Sequence, residues 1–163
     1  MAVTTTSPIT AMTAARALVA RRAAVRPATP AALAARLIPG YNVTPTIRVI
    51  SDVLADAITQ PGRRIIITTP PRTGKSVLVS QIGVVFALMN NPDAQVILAS
   101  YADFLAEDHS REARRMITDN ADLLGITLAA DKQAVGRWRL AGRAGGLLAT
   151  GIMSGVTGHG STL

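Results

Sequence analysis

The sequence has no cysteine, which excludes disulfide bridges and thiolate metal sites and predicts a cytosolic protein. It has no apolar run long enough to cross a bilayer, so no membrane-spanning segment is expected. Acidic residues are absent before Asp52 and after Asp131, and only Lys75 and Lys132 of the 17 basic residues are lysines. What is present is a length of 163 residues with 48% hydrophobic side chains, enough for one domain with a packed core.

The net charge of +7 is carried almost entirely by arginine. A basic surface favours polyanions such as nucleic acid. A GC-rich genome also produces chains rich in arginine and alanine, so the charge alone is weak support for DNA binding.

Residues 1–40 differ in composition from the rest, with five arginines, no acidic residue and much Ala, Thr and Pro. We expect a basic, flexible arm here, with short helices near residues 12–25 and 31–37, ahead of a domain over residues 41–163. Three interpretations stay open: a poorly ordered terminus, an arm that touches DNA or a partner, and a transit peptide.

The hydrophobic pattern of the domain alternates between strand and helix periods. Short β-branched runs predict buried strands, and apolar spacing of three and four predicts helices. The predicted elements are a helix over 47–58, a strand over 64–69, a helix over 75–90, a strand over 95–100, a helix over 102–118 and a hairpin over 135–152. This alternation predicts an α/β fold with a mostly parallel sheet flanked by helices.

The segment between the first predicted strand and the second helix reads Thr-Pro-Pro-Arg-Thr-Gly-Lys-Ser, residues 69–76. A strand, a tight loop and a helix in this order form a P-loop, in which backbone N–H groups and the helix N-terminus hold phosphates. Lys75 would reach the β- and γ-phosphates, Ser76 would ligate Mg²⁺, and Gly74 would provide conformational freedom. One departure is Thr69, which stands where the usual pattern has glycine.

Arg72 is an unusual residue for such a loop. It could contact the γ-phosphate and stabilise transition-state charge, as an arginine finger does. It could equally be a solvent-facing loop residue, and the chemistry alone leaves both interpretations open.

Four stretches together resemble the large terminase subunit of tailed bacteriophages, an ATPase that pumps DNA into capsids. They are residues 70–76, residues 99–112 beginning Ala-Ser-Tyr-Ala-Asp, Trp138 with the glycines and Ala-Thr-Gly of 145–151, and Val-Thr-Gly-His-Gly at 156–160. The resemblance covers roughly residues 41–163 and identifies that range as part of a P-loop ATPase domain.

The resemblance implies a set of residue roles, ligands and partners. The nucleotide-binding residues would be Pro71, Arg72, Thr73, Gly74, Lys75 and Ser76, with Arg72 and Lys75 catalytic and Ser76 on the metal. The ligands would be ATP and Mg²⁺, and the partners double-stranded DNA, a portal protein and a small terminase subunit. The full-length protein would form a homo-oligomeric ring in the cytoplasm of a bacterial host.

The end of the sequence departs from that family. No acidic residue follows an apolar strand, where such ATPases hold Mg²⁺ and orient the attacking water, and a nuclease domain is missing. We therefore expect an N-terminal part of the family's protein that is inactive in isolation. Two alternatives remain: an AAA+ ATPase, and a non-catalytic nucleotide-binding fragment.

Overall fold

The computed structural model describes residues 26–152, apart from the side chains of residues 131–133. The helix predicted near residues 12–25 and the Val-Thr-Gly-His-Gly stretch at 156–160 lie outside this range. The helices are α1 (Pro30–Leu37), α2 (Pro45–Thr59), a π-helical segment (Val77–Ile82) continuing into α3 (Gly83–Asn90), α4 (Asp103–Asp119) and α5 (Ala121–Leu124). The strands are β1 (Gln95–Ser100), β2 (Leu128–Ala134), β3 (Arg137–Leu140) and β4 (Gly146–Gly151).

Helices α1 and α2 begin with the same local device. A threonine hydroxyl caps each one, Thr29 accepting from the amide of Ala32 and Thr44 from that of Ile47, and a proline follows at the first helical position. Helix α2 buries Ile47, Ile50 and Leu54 on one side, as its helical spacing predicts. Helix α1 lies within residues 1–40, and its Leu33 and Ala34 are fully buried against the same core.

Helix α3 is central to the core. All its residues from Gly83 to Met89 are buried, which explains an apolar sequence without an amphipathic pattern. It ends at Asn90, whose amide side chain donates to the carbonyl oxygen of Phe86. No helix in residues 26–152 is long and apolar enough to cross a membrane.

Residues 26–152 form one sheet of four strands in the order β1-β4-β3-β2. The α/β class with a sheet flanked by helices is confirmed, but the prediction of a mostly parallel sheet was wrong. Only β1 and β4 pair in parallel, whereas β4 with β3 and β3 with β2 are antiparallel. The reason is local: short turns join β2, β3 and β4, and such turns can only connect antiparallel neighbours.

The prediction of a strand over residues 64–69 was also wrong. These residues form no strand in the structure, and the side chain of Ile66 is 97% exposed. A strand needs a neighbour for its backbone N–H and C=O groups, and no strand among the described residues pairs with this segment. The β-branched run alone was therefore not sufficient.

Helix α4 covers one face of the sheet. The residues aligned across that face are Val96, Leu147 and Trp138, all buried. Trp138 is only 1% exposed and is a core residue. The opposite face carries half-buried Ile97 and Leu148 beside exposed Arg137.

Candidate phosphate-binding loop

Residues 69–74 form a loop that leads directly into a helix. Helical backbone begins at Lys75, and the amide of Leu78 donates to the carbonyl oxygen of Gly74 at 3.0 Å. Gly74 precedes the helix and has no side chain with which to satisfy the first helical N–H groups. These groups carry the positive end of the helix dipole, so the start of this helix favours an anion.

The backbone of the loop has two left-handed residues two positions apart. Arg72 has φ of 61°, and it is the only residue other than glycine with positive φ in the described part of the chain. Gly74 has φ of 81°. Alternation of left-handed and right-handed backbone turns successive N–H groups inward and makes a concavity that binds anions. A left-handed arginine costs free energy, and such strain is concentrated at functional sites.

Two threonine side chains close the loop. The hydroxyl oxygens of Thr69 and Thr73 lie 3.0 Å apart, and the Thr73 hydroxyl donates to the carbonyl oxygen of Pro70 at 3.1 Å. Because a hydroxyl has one proton, the Thr69 hydroxyl must be the donor to Thr73. The residue that replaces the expected glycine therefore ties the beginning of the loop to its end.

Helix α2 lies beside the loop. A Cβ atom added to Gly74 would lie 3.4 Å from the Cδ1 atom of Ile47, in the first turn of that helix. Any other residue at 74 would be strained by its positive φ, and its Cβ atom would come into van der Waals contact with Ile47. The loop immediately before Lys75 therefore lies close to the first turn of α2.

The side chains of the loop differ in exposure. Thr73 and Lys75 are half-buried, while Pro71, Arg72 and Ser76 are exposed. The six residues predicted as nucleotide-binding are contiguous, residues 71–76, and lie in this loop and the first turn of the helix that follows it. The lysine is positioned at the helix start, where its ammonium group adds to the positive field of the N-terminal amides.

A second group of interacting residues lies at the carboxyl ends of the parallel strands β1 and β4. The amide of Gly151 donates to the carboxylate of Asp103 at 2.5 Å, and the amide of Ile152 donates to the carbonyl oxygen of Ser100 at 2.8 Å. The side chain of Tyr101, just after β1, is exposed. Two of the stretches that carry the family resemblance, residues 99–112 and 145–151, therefore meet in space.

Sequence reasoning did not find the link between Thr69 and Thr73 or the proximity of Gly74 to Ile47. The first joins residues four positions apart through a bend that no periodicity encodes, and the second depends on how α2 packs. The one sequence feature that could have indicated the link between Thr69 and Thr73 was Thr69 itself, which stands where the usual P-loop pattern has glycine.

The described residues offer the loop no cluster of carboxylates that could hold a metal ion. In residues 26–152, no group of three or more His, Cys, Asp or Glu side chains lies close enough together to hold a metal ion. A cation here would need the phosphates of its ligand and a hydroxyl such as that of Ser76.

Comparison with known proteins found no matching family model, no similar curated protein and no similar solved structure.

Proposed function

We propose that residues 69–76 bind the phosphates of ATP with Mg²⁺, and that the chain is the ATP-binding part of a DNA-packaging motor of the terminase large-subunit type. The observation that supports this most directly is the left-handed backbone at Arg72 and Gly74 immediately before a helix that begins at Lys75. Inward-facing amides, a helix N-terminus and a lysine in this order are what a triphosphate requires.

Each residue of the loop has a distinct task in this proposal. The amides of residues 72–76 bind phosphate oxygens, and the Lys75 ammonium group binds the β- and γ-phosphates. The Ser76 hydroxyl is one ligand of Mg²⁺, which neutralises charge on the phosphates when it is bound. Arg72 extends from the loop into solvent and acts on the γ-phosphate as charge develops there.

The packaging role depends on the resemblance and on charge. The exposed side chains of Arg137 and Arg139 alternate with buried Trp138 along β3 and form part of the chain's basic surface. Basic side chains on one face suit the backbone of double-stranded DNA. The ring, the portal protein and the small terminase subunit belong to the same proposal.

Calorimetric titration with ATP and Mg²⁺ tests the binding function. We expect wild type to bind and Lys75→Ala to show no measurable heat, because the mutation removes the side-chain cation aimed at the phosphates. Lys132→Ala is the matched control, since it removes the only other lysine and should bind as wild type does. Equal affinities of wild type and Lys75→Ala would refute the assignment of this loop.

A further inference from the structure

Strand β1 lies at the edge of the sheet and borders a large apolar groove. In the part of the chain that the structure describes, β4 is the one strand that pairs with β1. The groove has a volume of about 750 Å³, and its wall includes Val96, Ile97 and Leu98 of β1. The groove is also lined by residues 63–65, of which 64 and 65 begin the segment that was predicted as a strand.

The direction of the backbone groups of β1 follows from its pairing with β4. The carbonyl oxygens of Ala94 and Ser100 accept bonds from Gly146 and Ile152, so even-numbered residues of β1 are directed at β4. Backbone groups alternate in direction along a strand, so the N–H and C=O groups of Ile97 and Ala99 are directed away from β4. No strand within residues 26–152 pairs with this edge, and such an edge is a template for another strand.

The floor of the groove is apolar. It is made by Leu54 and Ile58 of α2 and by Val84 and Ala87 of α3, while exposed Arg63 and Arg64 lie at the rim. A small polar ligand would leave this floor uncovered, whereas the side chains of a β-strand would cover it and the strand's backbone would pair with β1. Both requirements are met together by an extended apolar peptide.

We propose that this groove binds an extended, proline-free apolar segment of a partner polypeptide as a fifth strand beside β1. The partner's backbone pairs with the N–H and C=O groups of Ile97 and Ala99, and its inward side chains pack on Leu54 and Ile58. The two arginines at the rim favour a segment with acidic residues at its ends. The proposal does not depend on nucleotide binding, because none of the residues that carry it belongs to the phosphate loop.

The test uses a synthetic peptide, acetyl-Glu-Thr-Val-Ile-Val-Thr-Glu-amide, titrated into the full 163-residue chain. Fluorescence anisotropy of a labelled peptide gives the affinity, and amide hydrogen exchange shows where it binds. We expect saturable binding and slower exchange at the amides of Ile97 and Ala99. A peptide with proline at the central isoleucine is the matched control and should bind at least tenfold more weakly, because it loses a ladder bond and its extended fit.

Protein variants complete the test. Ile58→Glu should weaken binding at least tenfold by placing a charge on the apolar floor, whereas Val49→Glu changes an exposed residue of the same helix and should leave affinity unchanged. Ala99→Pro removes an outward N–H group and should weaken binding about fivefold. Equal affinity for both peptides, or no protection of Ile97 and Ala99, would overturn the proposal. So would binding that occurs only after deletion of residues 1–25, because that segment would then be the occupant.

Discussion

The Thr69 hydroxyl lies 3.0 Å from the Thr73 hydroxyl and links the two ends of the candidate phosphate loop. The Thr73 hydroxyl in turn donates a hydrogen bond to the carbonyl oxygen of Pro70. A phosphate loop usually starts with glycine, which permits a tight turn by conformational freedom. Here side-chain hydrogen bonds hold the turn, together with the fixed φ angles of Pro70 and Pro71.

We expect Thr69→Val to weaken ATP binding about three- to tenfold, because the variant removes one hydrogen bond that preorganises the loop. The fold should remain intact, since Thr69 is not part of the core. Thr59→Val is the control, as it removes a comparable hydroxyl that bonds the carbonyl oxygen of Ala55 at the end of α2. Calorimetry on both variants gives the comparison, and an unchanged ATP affinity in Thr69→Val would show that the link does not contribute to binding.

Arg72 combines a strained backbone with an exposed side chain, and two substitutions separate these properties. Arg72→Gly should raise the free energy of unfolding by about 1 kcal/mol, because glycine adopts the left-handed conformation without the cost that an L-residue bears. Arg72→Ala retains most of that cost, so its stability should stay close to that of wild type. Denaturant melts of the three proteins measure the difference, and equal stability of all three would show that the loop bears no strain at this position.

The side chain of Arg72 is tested by kinetics in a form of the protein that hydrolyses ATP. If it acts on the transition state, Arg72→Ala should lower kcat on the order of 10³-fold and change KM much less. Arg64→Ala, which removes another exposed arginine outside the loop, is the control. An unchanged kcat would leave Arg72 as a surface residue.

The sequence predicted most elements whose pattern is self-contained. The boundaries of β1 matched the apolar run, and α4 and the β3–β4 hairpin were found by periodicity and glycine turns. Strand β2 was missed because Leu128–Ala134 lacks β-branched residues and is a strand only through its pairing with β3. The prediction for residues 64–69 was wrong for the opposite reason. Their composition favours a strand, but no strand among the described residues pairs with them. Strand formation depends on partners that are distant in sequence, and for the same reason the proximity of Gly74 to Ile47 could not be predicted.

Ser110 joins α4 to the hairpin inside the core. It accepts a hydrogen bond from the indole Nε1–H of Trp138 at 2.8 Å and donates to the carbonyl oxygen of Val135 at 2.5 Å. Ser110→Ala leaves the buried indole N–H of Trp138 and the half-buried carbonyl oxygen of Val135 without their partner, so the free energy of unfolding should fall by about 1–3 kcal/mol. Ser80→Ala, a half-buried serine in the π-helical segment, should change it by much less. Urea melts monitored by Trp138 fluorescence provide the measurement, and equal midpoints for the two variants would contradict this role.

The hydroxyl oxygen of Tyr41 is buried and has no hydrogen-bond partner among the described residues. Tyr41→Phe should therefore preserve or raise thermal stability, because it removes an unsatisfied polar group.

Burial also raises the pKa of the Tyr41 hydroxyl above 10.0. The unfolded chain then loses this proton at lower pH than the folded one, so the hydroxyl lowers stability as pH rises above about 10. Melting curves from pH 8 to 11 should show a smaller loss for Tyr41→Phe than for wild type, and a lower Tm of the variant at pH 8 would reveal a partner for the hydroxyl.

We expect the isolated 163-residue chain to bind ATP without turning it over. Lys75 and Ser76 provide one side of a nucleotide site, whereas phosphoryl transfer also requires a carboxylate that orients the attacking water. The described residues include no cluster of metal-binding side chains, and the sequence has no acidic residue after Asp131. Positioning supplies much of the catalysis in this reaction, so turnover should be several orders of magnitude below the roughly 10 s⁻¹ of an ordinary enzyme. Phosphate release measured beside calorimetric binding separates the two properties, with Lys75→Ala as the background. Turnover at ordinary rates would mean that a carboxylate of this chain orients the attacking water. Asp103 would then be the first candidate, because it lies where β1 and β4 both end, and Asp103→Asn would be the variant to measure.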